Sequence, residues 1–167
     1  IITTAGKQQK VSEDVMQVAL DTMATLNKAA ADAMTQVGVN ACTDITGFGL
    51  MGHLRSMVRA SGVGATVGFS KFPLLPGAWE LLEAGIAPGG THRNLDSVTE
   101  SVQWHPELTD NQKIMLCDAQ TSGGLLISVA QARLPELLSR LEAAGVTTRA
   151  VVGEITQGPE GKISATP

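Results

Sequence analysis

A single layered α+β domain is the fold this sequence predicts, and three observations point to it. Apolar residues recur at helical spacing in some segments and gather in short, strand-length runs in others. The two kinds of segment are interspersed along the chain, as in folds that layer helices on a sheet. No internal repeat, low-complexity stretch or long linker interrupts the 167 residues, a length that can bury one substantial core.

The first clear helix is expected to start near Ser12, with Glu13 and Asp14 offsetting the helix dipole in its first turn. Val15, Ala19, Met23, Leu26 and Ala30 share one face, a bend near Asn27 divides the stretch, and Gly38 stops it. Val39 to Asp44 reads as a strand running into a polar, glycine-rich turn. Leu50 to Ser61 reads as a helix with Leu50, Leu54, Met57 and Val58 on one face, and Ala65 to Phe69 as the next strand. Pro73, Pro76 and Gly77 break the chain before a short helix through Trp79, Leu82 and Ala84. Gly85 to Glu107 reads as the least regular segment, with Pro88-Gly89-Gly90 as a turn. Thr109-Asp110 can cap a brief helix ending near Leu116, and Leu125 to Val129 reads as a strong buried strand. Gln131 to Ala144 is a helix that tolerates Pro135 only near its first turn, and Thr148 to Ile155 is expected to be the last strand.

Composition excludes several classes of function. Apolar residues at 43% and charged residues at 17% describe a folded chain rather than a disordered one. Aromatic residues are only 3%, without a tyrosine, so the core must come from Ala, Val, Leu, Ile and Met. A net charge of −4 and few stacking rings argue against nucleic acid as a partner. Cys42 and Cys117 form no C-x-x-C pair, so a disulfide framework or zinc site is not expected, and a reducing cytoplasm fits best. No apolar run approaches bilayer thickness and no signal peptide is visible, so no membrane partner is expected. The opening Ile1-Ile2-Thr3-Thr4 has no initiator Met and looks like a start inside a longer protein.

Three segments could carry chemistry. In Ala41 to His53 a strand delivers Thr43, Asp44 and Thr46 to Gly47-Phe48-Gly49 at a helix start. Free N–H groups there favour anions such as phosphate, and Asp44 offers magnesium a hard oxygen ligand. Asp44 as a simple turn cap, and the glycines as packing residues, remain open beside that reading. The Gly47-x-Gly49-x-x-Gly52 spacing is no dinucleotide fingerprint, because the next strand ends in Phe69-Ser70-Lys71 without an acidic ribose ligand. The second segment, Asp118 to Gly124, could form a backbone nest for an anion or a tight turn at a strand start, and lacks the lysine of a P-loop. In the third, Pro88 to Asn94, Arg93 and Asn94 could touch a polar ligand or could simply be loop residues. His53, His92 and His105 have no metal-ligand spacing and read as structural or exposed, the six methionines as core filling, and neither cysteine as an activated thiol.

Taken together, these segments resemble the selenophosphate synthetase (selenide, water dikinase) family. Thr43-Asp44-Ile45-Thr46-Gly47-Phe48-Gly49-Leu50-x-Gly52-His53 matches its signature, followed in order by Pro88-Gly89-Gly90-Thr91-x-x-Asn94 and Gln120-Thr121-Ser122-Gly123-Gly124-Leu125-Leu126. Ile1-Ile2-Thr3-Thr4-Ala5 resembles the start of that family's second domain, and Val152-Gly153-Glu154-Ile155 its last strand. Superfamily relatives such as aminoimidazole ribonucleotide synthetase, formylglycinamidine synthase and a hydrogenase-maturation protein differ at the Phe48 turn. Ala119 departs from the family's usual proline without removing a functional side chain.

The resemblance implies a three-layer α/β/α domain of the aminoimidazole ribonucleotide synthetase C-terminal type, with a mixed sheet of about four strands and partly ferredoxin-like. Residues 1–10 would then be the remnant of an interdomain connection and residues 11–167 the C-terminal domain. It also implies a homodimeric parent that turns ATP, selenide and water into selenophosphate, AMP and phosphate, with its catalytic groups in an N-terminal domain that partners this one. Asp44 is carried over as a ligand for Mg2+ bound to ATP, with Thr43, Thr46 and Gly47 in supporting roles at the nucleotide. Another ATP-dependent enzyme of the purine-synthesis type and a non-catalytic docking module for selenium transfer are the competing expectations.

Overall fold

The computed structural model describes all residues 1–167. Eight α-helices and six strands are interspersed along it. The helices are α1 (Ile2–Lys7), α2 (Glu13–Ala24), α3 (Lys28–Val37), α4 (Gly49–Ala60), α5 (Ala78–Glu83), α6 (Gly89–Val98), α7 (Asp110–Leu116) and α8 (Leu134–Ala143). The strands are β1 (Ala41–Asp44), β2 (Gly64–Gly68), β3 (Val102–Trp104), β4 (Leu125–Ser128), β5 (Gly153–Thr156) and β6 (Ile163–Thr166). They form an antiparallel β1–β4 ribbon and a four-stranded sheet in the order β3-β6-β2-β5. That sheet is mixed: β6 runs parallel to both β3 and β2, and β5 is antiparallel to β2. The expected α+β class with a mixed four-stranded sheet is therefore what the chain adopts.

Local chemistry explains most boundaries. Ser12 caps α2 by accepting from the Val15 amide, and the break before Lys28 ends that helix where the bend is expected. Thr109 and Gln112 form a reciprocal capping box that starts α7. Pro135 lies in the first turn of α8, where its missing N–H costs nothing.

Period-two alternation then assigns faces. Ala65 and Val67 of β2, Ile163 and Ala165 of β6 and Val102 of β3 are buried against Met51, Leu54 and Val58 of α4. Their neighbours Thr66, Gln103 and Ser164 point away and are polar. On the ribbon, Leu126 packs into this same core, whereas Ile127 joins Ala33, Val37, Leu137 and Leu141 of α3 and α8. The ribbon is thus a layer between α4 and the α3–α8 pair. A third cluster, which includes Ile1, Ile2, Ala19, Ala78, Leu82 and Met115, joins α1, α2, α5 and α7.

Three expectations need correction. Gly85 to Glu107 is not irregular, because it contains α6 and β3. The buried face of α6 is Thr91, Asn94 and Val98 with half-buried Leu95, a helical stripe in which two positions are polar. A search for apolar periodicity passes over it. Likewise, β5 is not the last strand and begins only at Gly153; β6 follows it and takes the interior of the sheet. Finally, β4 is half-buried rather than buried, since a two-stranded ribbon cannot cover all of its own residues.

Candidate functional site

The three sequence motifs, far apart in the chain, meet around one turn. β1 ends at Asp44, opposite Leu125 at the start of β4, so the Thr43–Gly49 turn and the Gln120–Gly124 turn lie side by side. Main-chain bonds join them: Ile45 N–H donates to Gly124 O at 2.9 Å, Gly123 N–H to Ile45 O at 2.8 Å, and Gln120 N–H to Thr46 O at 3.2 Å. Because the Gln120 and Gly123 amides are committed in this way, the segment behaves as a strand-start turn. The amides of Thr121, Ser122 and Gly124 make no such main-chain bond and are the ones a backbone nest would use.

α6 holds both turns from beneath. Asn94, only 8% exposed, donates both hydrogens of its side-chain amide, to Gly47 O at 2.9 Å and to Cys117 O at 3.1 Å. Thr91, fully buried, donates to Asp118 Oδ1 at 2.9 Å and accepts from the Ala119 amide at 3.0 Å. The amide hydrogens of Asn94 thus clamp two carbonyls. Arg93 is exposed, with its guanidinium beside Gly89 and Gly90. A signal for Thr91 and Asn94 did exist in the sequence, since residues three apart share a helix face, but their polarity disguised it.

Gly49 closes the arrangement. Its φ is +67°, and a Cβ there would sit 2.6 Å from Cys117 O, so α4 can start this close to the Cys117–Ala119 turn only with glycine. No side chain caps the start of α4. Phe48, at that start, is 67% exposed and tilts against His53 with ring centroids 5.7 Å apart. Gly47 is exposed, with open space where a side chain would be.

Asp44 is exposed, and its carboxylate has no hydrogen-bond or ion-pair partner; only its main-chain oxygen is bound, by Thr43 Oγ1 at 3.1 Å. A turn cap would spend that carboxylate on a backbone amide, and here none is engaged. Nowhere do three or more His, Cys, Asp or Glu side chains gather as a metal set. The donors present therefore fit one oxygen ligand of a magnesium ion, whose shell is ordinarily completed by phosphates and water. Thr46 is half-buried and bonded to His53.

The remaining candidates are quiet. His92 and His105 are exposed. Cys42, two residues from Asp44, has its thiol pushed up by burial and then by the Asp44 charge. Burial pushes the Cys117 thiol up to about 12, so neither is an activated nucleophile. No helix is long and apolar enough to cross a membrane.

The chain matches known proteins along most of its length. The family model described as "AIR synthase related protein, C-terminal domain" matches residues 2–165. A selenide, water dikinase of Shewanella sp. (strain W3-18-1) is 46% identical over 88% of this chain and 41% of its own length. A selenide, water dikinase of Carboxydothermus hydrogenoformans is 41% identical over 98% of this chain and 47% of its own length. The chain spans less than half the length of these curated relatives. It belongs to the AIR synthase related C-terminal domain family, and within it is similar to the matching portion of selenide, water dikinases.

Proposed function

We propose that this chain is the C-terminal part of an ATP-dependent selenophosphate synthetase, which converts ATP, selenide and water into selenophosphate, AMP and phosphate. The observation that carries the proposal is Asp44: an unpartnered carboxylate presented by a turn that three separated motifs build together. In this reading Asp44 supplies one oxygen to magnesium carrying the ATP phosphates. The bound ion would neutralise phosphate charge, the main electrostatic demand of phosphoryl transfer. Gly47 lets a phosphate approach the backbone closely, and Thr43 and Thr46 fix the main chain on either side of Asp44 and Ile45.

The nucleophile and the other magnesium ligands belong to an N-terminal domain of the parent, which acts in the cytoplasm as a homodimer without nucleic-acid or membrane partners. The test is selenide-dependent AMP and selenophosphate formation by the full-length parent and its Asp44→Asn variant. Asparagine keeps the shape and removes the charge. Turnover should fall by at least about a hundredfold with an unchanged melting temperature. An undiminished variant removes Asp44 from the metal site, and a parent without selenide-dependent turnover overturns the enzyme assignment.

A further inference from the structure

His53 is joined to the site by its ring rather than by its charge. Nε2 lies 3.1 Å from Thr46 N and 3.1 Å from Thr46 Oγ1. The amide of Thr46 carries a hydrogen and can only donate, so Nε2 must offer its lone pair. The ring is therefore neutral, with its hydrogen on Nδ1. In that form the nitrogen's single lone pair receives the Thr46 amide, with the Thr46 hydroxyl beside it at 3.1 Å. An imidazolium, or the opposite tautomer, would turn a donor toward the amide and leave that half-buried N–H without a partner.

The remaining polar atom of Thr46 is also engaged, because its carbonyl accepts from Gly49 N–H at 3.0 Å and from Gln120 N–H at 3.2 Å. Thr46 is thus the residue at which the α4 start, the Gln120–Gly124 turn and the His53 ring are tied together. It sits two residues after Asp44 and directly before Gly47. His53 reaches it because helical side chains lean toward the N-terminus, which aims a ring in the second turn of α4 back at the preceding loop. Packing against exposed Phe48 fixes the ring from a second side.

We propose that His53 is a positioning residue for the nucleotide site: its neutral Nε2, as an acceptor, holds Thr46 and so sets the backbone that presents Asp44 and Gly47. The role in turnover rests on the synthetase reading above, whereas the tautomer does not. It follows from the amide of Thr46 donating to Nε2.

Two measurements test it. Long-range proton–nitrogen NMR on this chain at neutral pH should show His53 as the Nδ1–H tautomer, with Nε2 as an unprotonated acceptor. A His53 found as the Nε2–H form or as imidazolium overturns the proposal. In the full-length parent, His53→Gln keeps a carbonyl oxygen within similar reach of Thr46, and His53→Leu keeps bulk without an acceptor. With both variants shown to be folded by circular dichroism and thermal melting, turnover of the leucine variant should fall between about tenfold and a hundredfold. The glutamine variant should recover most of it. Equal impairment of the two variants, or full activity of the leucine variant, also overturns the role. If the parent has no selenide-dependent turnover while His53 is the Nδ1–H tautomer, the enzyme assignment fails and the Thr46–His53 tie stands as a feature of the turn.

Discussion

At Asn94, one amide group does the work of holding two turns in register. Its two N–H donors meet two carbonyls, those of Gly47 and Cys117. Asn94→Asp would replace those donors with an acceptor facing two acceptors. We expect a loss of about 3 kcal/mol in urea denaturation, with activity of the parent falling alongside. Cys117 makes a second prediction at this scale. Its thiol is fully buried and ionises only near 12, against 9.0 in the unfolded chain. Between those values the folded state holds a proton that the unfolded state has released. Stability from this group is therefore complete below pH 9 and declines as pH rises toward 12, by up to about 1.4 kcal/mol per pH unit. Denaturation midpoints of the native chain and Cys117→Ala, compared at pH 7, 9 and 10.5, should converge or cross at alkaline pH. A constant difference would contradict the burial argument.

Elements explain why the site is rigid. α4 begins uncapped and in a left-handed residue, so its start depends on the close approach of the Cys117–Ala119 turn. Gly49→Ala combines an unfavourable φ with a carbonyl collision, and should cost at least about 2 kcal/mol. The melting temperature measures that loss. α7, in contrast, has a complete capping box and positions Cys117 at its end. Thr109→Ala should cost about 1 kcal/mol and leave the parent's turnover intact once folded, because the box lies on the exposed side of α7. α4 and α6 are further joined by Arg55, which donates to Ser97 O. That bond ties the helix that presents the glycine-rich turn to the helix that clamps it.

For the whole molecule, the last strand is the one the sheet cannot lose. β6 pairs with β3 on one side and β2 on the other, and Ile163 and Ala165 lie in the main core. Removing residues 157–167 would leave β3 without a partner and open the apolar face of β2 beneath α4. A chain ending at Thr156 should lose its cooperative unfolding transition and bind a dye for exposed apolar surface. Retention of a sharp transition would show that β6 is dispensable. The opposite edge is held differently: a side chain at Gly153 would collide with Thr66 O, so β5 can lie this close to β2 only with glycine there.

The sequence by itself determined the class of fold, most helix limits and the family resemblance, because those depend on local rules. Ser12, Thr109, Pro135 and the apolar stripe of α4 act over a few residues and can be read in any context. The glycine-rich signature was legible for the same reason. What only the tertiary structure decided is which polar residues are structural. Thr91 and Asn94 read as loop residues until carbonyls and amides from distant segments are placed beside them. Parallel pairing of β6 with β2 and β3 was equally hidden, since a strand of four residues carries too short an alternation to announce its partners. Hydrogen-bond satisfaction in a buried turn is a property of the assembled neighbourhood, and residues chosen for it carry no periodic signal along the chain.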